Sequence, residues 1–182
     1  MTDSPASEKL SQLREIQRRS QQSAAKLSQK GSVHGMWTAI GFRIANNNFL
    51  VPLEETREVF TLPSQINSVP KSKSWVYGIA NLRGELLPIF DLKSFLYDQD
   101  TQINKQSRIV VNNHSELFLG LLVDEIFGLK HFPNQPDNTI HNATDSQVYP
   151  YIIGSISQQN TDWNIFSFNK LTLDNRFLDA AA

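Results

Sequence analysis

Beyond Met36 the apolar residues of this chain come in short runs separated by turn residues, and none of these runs keeps helical spacing for long. That texture predicts sheets. Ile40, Phe42 and Ile44 alternate with Gly41 and Arg43, the period of two that a half-buried strand requires. Asn46-Asn47-Asn48 follows and reads as a turn, because Asn tolerates positive φ and bonds its own backbone. Phe49 to Leu53 resumes as a strand, with Pro52 marking an edge or a strand end, so the two runs form a hairpin. Further strands are predicted at Arg57–Phe60, Val76–Leu82, Leu86–Phe90, Arg108–Asn112, Phe118–Val123, Leu129–Phe132, Ile152–Ser157 and Asn164–Phe168. So many short strands point to a small barrel or a sandwich.

Helix signals in this body are few. Asp91 is a good N-cap for a short helix through Lys93, Phe95 and Tyr97. The tail from Asn169, with Leu171, Leu173, Phe177 and Leu178, fits a terminal helix interrupted near Asp174. Residues 133–150 are polar, contain Pro133, Pro136 and Pro150, and read as a long connection. The segment before the body is different in kind. Residues 4–30 lack aromatic side chains, begin with a Ser4-Pro5 helix start and carry Leu10, Leu13 and Ile16 at helical spacing. The expected organisation is an N-terminal helical arm, 1–34, and a body, 35–182. The arm's apolar stripe is thin, so it either frays in solvent or docks on a surface.

The body is long enough to bury a core without a metal or a disulfide. Cys is absent, which removes disulfides, Cys-ligated zinc and thiol nucleophiles. Lys plus Arg is 17 and Asp plus Glu is 18, for a net charge of -1. Phosphate binding wants a basic excess, so a single-stranded nucleic-acid binder on a small barrel is the weaker alternative. The longest apolar run, Leu117 to Val123, stops at Asp124, well short of the roughly 20 residues that span a bilayer. The first residues carry Asp3, Glu8 and Lys9 with no apolar core, unlike a secretory signal. A cytoplasmic protein without membrane insertion is expected.

Catalytic constellations are missing from the sequence. His34, His114, His131 and His141 are not spaced to share a metal. Asp124-Glu125 offers two carboxylates, but neighbours on a strand point to opposite faces, so the pair reads as a strand end facing water. Trp37, Trp75 and Trp163 lie far apart and read as packing groups. No phosphate loop, nucleophile elbow or dinucleotide fingerprint occurs, so no enzyme, cofactor or metal is predicted.

One segment stands out, Val76 to Leu92, an apolar stretch with Arg83 embedded in it. A guanidinium among apolar residues calls for a partner, and Glu58 on the upstream strand supplies a carboxylate for a cross-strand ion pair. Gly78 and Gly84 permit close approach or a bulge, and Pro88 hints at an edge.

Gly78, Asn81-Leu82-Arg83-Gly84, Pro88 and Asp91-Leu92 together resemble the signature of the CheW-like chemotaxis coupling family. The resemblance extends to Glu58, Pro70, Trp75, Arg108–Val111 and Gly120–Asp124, and covers roughly residues 36–173. Within the family the arm, Trp75–Asn81 and the closing Arg176-Phe177-Leu178-Asp179 are most similar to the adaptors of type IV pilus (twitching motility) signalling, more than to those of flagellar chemotaxis. Two positions depart from the family pattern. Ala80 replaces a bulkier aliphatic, and Ser167 stands where many members carry Asp.

The resemblance implies two intertwined five-stranded SH3-like β-barrels with a C-terminal helix. It also implies a non-catalytic adaptor between the regulatory domain of a CheA-type histidine kinase and the cytoplasmic tip of a methyl-accepting receptor. Glu58 and Arg83 match the family's paired acidic and basic positions beside a receptor groove, and Asn81 and Gly84 are expected to shape the adjoining loop. Val59, Ile109 and Val110 are candidates for the groove wall, with ordinary barrel core as the equal alternative. The polar loop Thr61–Ser74, with Lys71 and Lys73, is either partner-facing or simply solvated.

Overall fold

The computed structural model describes residues 36–114, 117–140, 145–158 and 161–180. The chain divides into two units between Met36 and Trp37. The helical arm predicted over 4–30 lies outside the described residues.

The body from Trp37 is built of β1 (Trp37–Ile44), β2 (Asn47–Pro52), β3 (Thr56–Thr61), β4 (Val76–Leu82), β5 (Glu85–Asp91), β6 (Arg108–Asn112), β7 (Gly120–Val123), β8 (Glu125–Phe132), β9 (Ile152–Gln158) and β10 (Thr161–Phe166). Three short α-helices accompany them: α1 (Leu92–Tyr97), α2 (Phe168–Thr172) and α3 (Asn175–Leu178). Asp91 caps α1 as predicted, accepting from the backbone N–H groups of Lys93 and Ser94. The tail is interrupted at Asp174, which N-caps α3.

Four local expectations need correction. β8 begins at Glu125, not Leu129, because Glu125 and Ile126 already pair with Arg43 and Phe42 of β1. Asp124 and Glu125 do not face water. Asp124 is buried and accepts from Ala45 N at 2.6 Å, while Glu125 pairs with Arg43 at 2.9 Å. Ala45 has φ 52, so Asp124 ties down a strained turn. The last strand stops at Phe166, because Ser167 has left it to cap α2. Pro88 does not mark an edge strand: β5 is flanked by β4 and β7, but its pairing with β7 starts only at Ile89. The missing N–H of Pro88 therefore falls where only one neighbour is present.

The strands form two sheets, ordered β8-β1-β2-β10-β9 and β3-β6-β7-β5-β4. The second sheet uses five consecutive strands. The first has the same order if β8, β9, β10 are read before β1 and β2. Each sheet has one parallel pair at the corresponding place, β10 with β2 and β5 with β7. The long connection inside each five-strand set folds back on the following strand through one bridge, Asn67 to Ile79 and Asp137 to Ser155. A glycine precedes each bridged residue, and each has the loop backbone where a Cβ would stand: Gly78 against Asn67 O and Gly154 against Asp137 O. The body is thus one five-strand motif used twice, with the first copy completed by the N-terminal hairpin.

Alternation along the strands sorts side chains into three cores. Phe42, Ile44 and Phe49 join Val110, Leu121 and Val123 in a cluster shared by both sheets, to which Leu92, Phe166 and Phe177 add. Ala39, Leu50, Phe132 and Ile165 fill the first sheet's own core. Ala80, Leu87, Ile109, Val111 and Leu122 fill the second's. Strands β6 and β7 are buried on both faces, which explains their unbroken apolar runs. The small side chain at Ala80 is fully buried in the second of these clusters.

Candidate partner-docking face

The signature segment builds a hairpin tip. Leu82 pairs with Glu85, leaving Arg83-Gly84 as a two-residue turn with φ 54 and 90. Both angles are positive, as in a type I′ turn, and only glycine adopts the second without strain. Asn81 Oδ1 accepts from Gly84 N at 2.9 Å and fixes the turn from within. Arg83 is therefore not embedded in an apolar strand. It projects from a turn with its side chain 76% exposed.

Its partner is Glu58, as the sequence indicates, but the pair is not between neighbouring strands. β3 lies at one edge of its sheet and β4 at the other. Arg83 Nη2 lies 3.0 Å from Glu58 Oε1, and Nη1 donates to Oε2 at 3.3 Å. The guanidinium also sits over Phe60, 5.4 Å from its ring centre. Beside it Arg57 covers Phe118 at 5.1 Å and lies 4.0 Å from Glu85. Two guanidiniums, each over an aromatic ring and each near a carboxylate, thus enclose a cleft of about 160 Å³ floored by Leu82 and Val111. Leu86, next to the tip, is 68% exposed. The Glu58 side chain is 39% exposed, so the ion pair belongs to the surface class, contributing about 0–1 kcal/mol.

The three apolar candidates separate. Ile109 and Val110 are fully buried, in different cores. Val59 is only half-buried and packs against the shared core from the edge strand β3. The structure therefore brings together Glu58, Arg83, Asn81 and Gly84, and places Ile109 and Val110 beneath the surface. Among the described residues no group of three His, Asp or Glu side chains could hold a metal ion. No described helix is long and apolar enough to cross a membrane.

Sequence reasoning missed Glu55. Only 8% exposed, it sits at the crossover from the first sheet to the second. Its carboxylate accepts from Ser167 Oγ at 3.0 Å and from Asn169 N at 3.1 Å. Ser167 Oγ in turn accepts from Lys170 N at 3.1 Å. The equivalent position in the other half of the motif is Asp91, since Asp91 N bonds Trp75 O and Ser167 N bonds Tyr151 O. Asp91 alone accepts from the second and third N–H groups of α1, at 3.0 and 3.1 Å. At α2 the same two donors are divided between Glu55 and Ser167. The departure at position 167 is thus answered by a carboxylate from another part of the chain. Burial holds the Asp91 carboxyl above its ordinary value despite the donors from Thr101, Ser94 and Lys93.

The fold and this face define a β-sheet protein with an exposed, charge-framed cleft. Residues 38–174 match the CheW-like domain family, and the chain belongs to it. It is 36% identical over 167 residues to Protein PilI of Pseudomonas aeruginosa, an alignment covering 92% of this chain and 93% of that protein. It is also 36% identical over 86 residues to the chemotaxis protein CheW of Thermotoga maritima, covering 45% of this chain and 53% of that one. The crystal structure of the scaffolding protein TtCheW from Thermoanaerobacter tengcongensis has the same fold, with a TM-score of 0.63 at 22% identity, covering 76% of this chain and 94% of that one.

Proposed function

We propose that this chain is a non-catalytic adaptor that couples a methyl-accepting receptor to a CheA-type histidine kinase in the control of type IV pilus twitching motility. The observation that carries the reading is the hairpin tip. Asn81 and Gly84 hold Arg83 outside the sheet, over Phe60 and against Glu58, where it contributes little to stability and is open to a partner. The 36% identity to PilI along nearly the whole chain supports the pilus assignment.

In this reading each sheet, with its Asn67–Ile79 or Asp137–Ser155 bridge, is a small closed barrel of the SH3 kind. Residues 1–34 are an arm and 35–182 the CheW-like body. The kinase's regulatory domain docks at one barrel edge, and the receptor helix lies in an apolar groove beside Glu58 and Arg83, with Val59 on its wall. A helix seated in such a groove needs shape and desolvation, not chemistry. The protein works in the cytoplasm, recruited to membrane-bound receptor arrays, and turns over no substrate.

Co-purification of the folded chain with the regulatory domain of a CheA-type kinase tests the proposal. Complex formation that weakens on Arg83→Ala, with the melting temperature unchanged, is the expected result. A folded chain that binds neither kinase domain nor receptor tip would refute it.

A further inference from the structure

The two guanidiniums of the docking face are held in different ways. Glu58 engages Arg83 through two of its nitrogens. Arg57, on the edge strand β3, lies 4.0 Å from Glu85, beyond hydrogen-bond reach, and both of these side chains are more than half exposed. Arg57 makes no side-chain hydrogen bond to another described residue. Its orientation is set instead by the ring of Phe118, 5.1 Å away. Stacking orders a guanidinium without using its N–H groups, so Arg57 presents an ordered fork of donors, and such a fork matches one carboxylate.

Arg57 also stands where two clefts meet. On one side is the cleft of about 160 Å³ floored by Leu82 and Val111. On the other a broader cleft of about 650 Å³ is lined by Arg57, Asn113, His114, Asn169 and Leu173. Polar groups of this second cleft are already committed: Asn113 Nδ2 donates to Glu54 O at 2.9 Å, and Asn169 N donates to the Glu55 carboxylate at 3.1 Å. Leu173 is 76% exposed, more than any other large apolar side chain among the described residues. Apolar surface therefore flanks one ordered cation on both sides. That is the composition of an interface, where Arg is enriched and Lys and carboxylates are depleted, more than of a solvated face.

We propose that Arg57 selects the partner on this face: it takes a carboxylate of the receptor tip, whose helix sets one aliphatic side chain over Leu82 and Val111 and another against Leu173. This rests on the receptor reading above and adds a required chemistry to it, an acidic residue between two aliphatic ones on one helix face. A carboxylate arriving at Arg57 displaces no hydrogen bond and leaves the Arg83–Glu58 pair intact.

The test is calorimetric titration of the full chain with a soluble fragment of a methyl-accepting receptor's cytoplasmic tip, at two salt concentrations. Arg57→Gln should weaken binding about tenfold and flatten its salt dependence, with the melting temperature unchanged. Arg57→Lys should restore the salt dependence but only part of the affinity, because it keeps the charge and loses the fork. Glu85→Gln removes the competing carboxylate and should tighten binding. Neutralising the acidic residues of the fragment one at a time should find one whose loss weakens the wild type about tenfold and Arg57→Gln not at all. If Arg57→Gln binds the fragment as the wild type does, whether or not it loses the kinase's regulatory domain, the proposal is overturned and the receptor reading stands. If the wild type does not bind the fragment, both are overturned.

Discussion

Replacing Ser167 with Asp restores the residue that the family resemblance expects, and the structure says it will destabilise this protein. Glu55 already lies 3.0 Å from Ser167 Oγ in a buried site. A second carboxylate there would stand about 4 Å from the first, and at an effective dielectric constant near 20 the repulsion is about 4 kcal/mol. Ser167→Asp alone should therefore lose about 3–4 kcal/mol at neutral pH. The loss should shrink as pH falls, because protonating one of two crowded carboxyls relieves the repulsion. Glu55→Gln alone keeps the shape but weakens two hydrogen bonds, at about 1–3 kcal/mol. In the double substitution the carboxylate introduced at position 167 is free to accept from both Asn169 N and Lys170 N, as Asp91 accepts from the first turn of α1. That protein should return to within about 1 kcal/mol of the wild type. Urea unfolding followed by tryptophan fluorescence gives all four free energies. If the two single effects simply add, the division of labour between Glu55 and Ser167 is wrong.

The glycines give an ordered series in the same assay: Gly84→Ala meets open space and only backbone strain, about 1 kcal/mol, whereas Gly78→Ala and Gly154→Ala collide with the closing loops and should each lose about 1–3 kcal/mol or more. Burial, and then donation to Asp174, push the Tyr151 hydroxyl up to about 12. Its neutral form is the one the folded state favours, so this stabilisation is complete below the ordinary value of 10 and is lost as pH rises through about 12. Ultraviolet titration should show the Tyr151 transition moving down in Asp174→Asn and up in Arg176→Gln. Charge substitution at Ile109 should unfold the body, while Arg83→Ala should shift stability by no more than about 1 kcal/mol, a contrast that circular dichroism melts will check.

Much of the sheet framework was legible because period-two alternation and turn residues are local signals. β4 and β6 match their predicted limits, the cap at Asp91 follows from side-chain chemistry alone, and the tail breaks at Asp174 as its pattern indicates. The Glu58–Arg83 pair was legible as a pair, because an isolated guanidinium among aliphatics demands a carboxylate. Its setting was not. The predicted limits leave Arg83 between two strands, but the tight turn that turns it outward is defined only by the Leu82–Glu85 pairing and the hydrogen bond from Gly84 N to Asn81. Ile109 and Val110 look alike in sequence, yet they serve different cores, since adjacent strand residues point to opposite faces.

What sequence could not supply is the relation between distant segments, and Glu55 shows why. Nothing local distinguishes it from Glu54. Its role appears only when the two five-strand motifs are compared strand for strand, which sets Ser167 against Asp91. One half of the repeat solves the helix cap with a single carboxylate, and the other uses a hydroxyl and a carboxylate 112 residues apart. The crossover that carries Glu55 leads from the first sheet into the second. In this chain the residue whose side chain caps α2 also lies on the crossover, where its backbone carbonyl accepts from Asn113 N at 2.9 Å. A substitution at position 55 therefore removes the cap of α2 while leaving that backbone link in place.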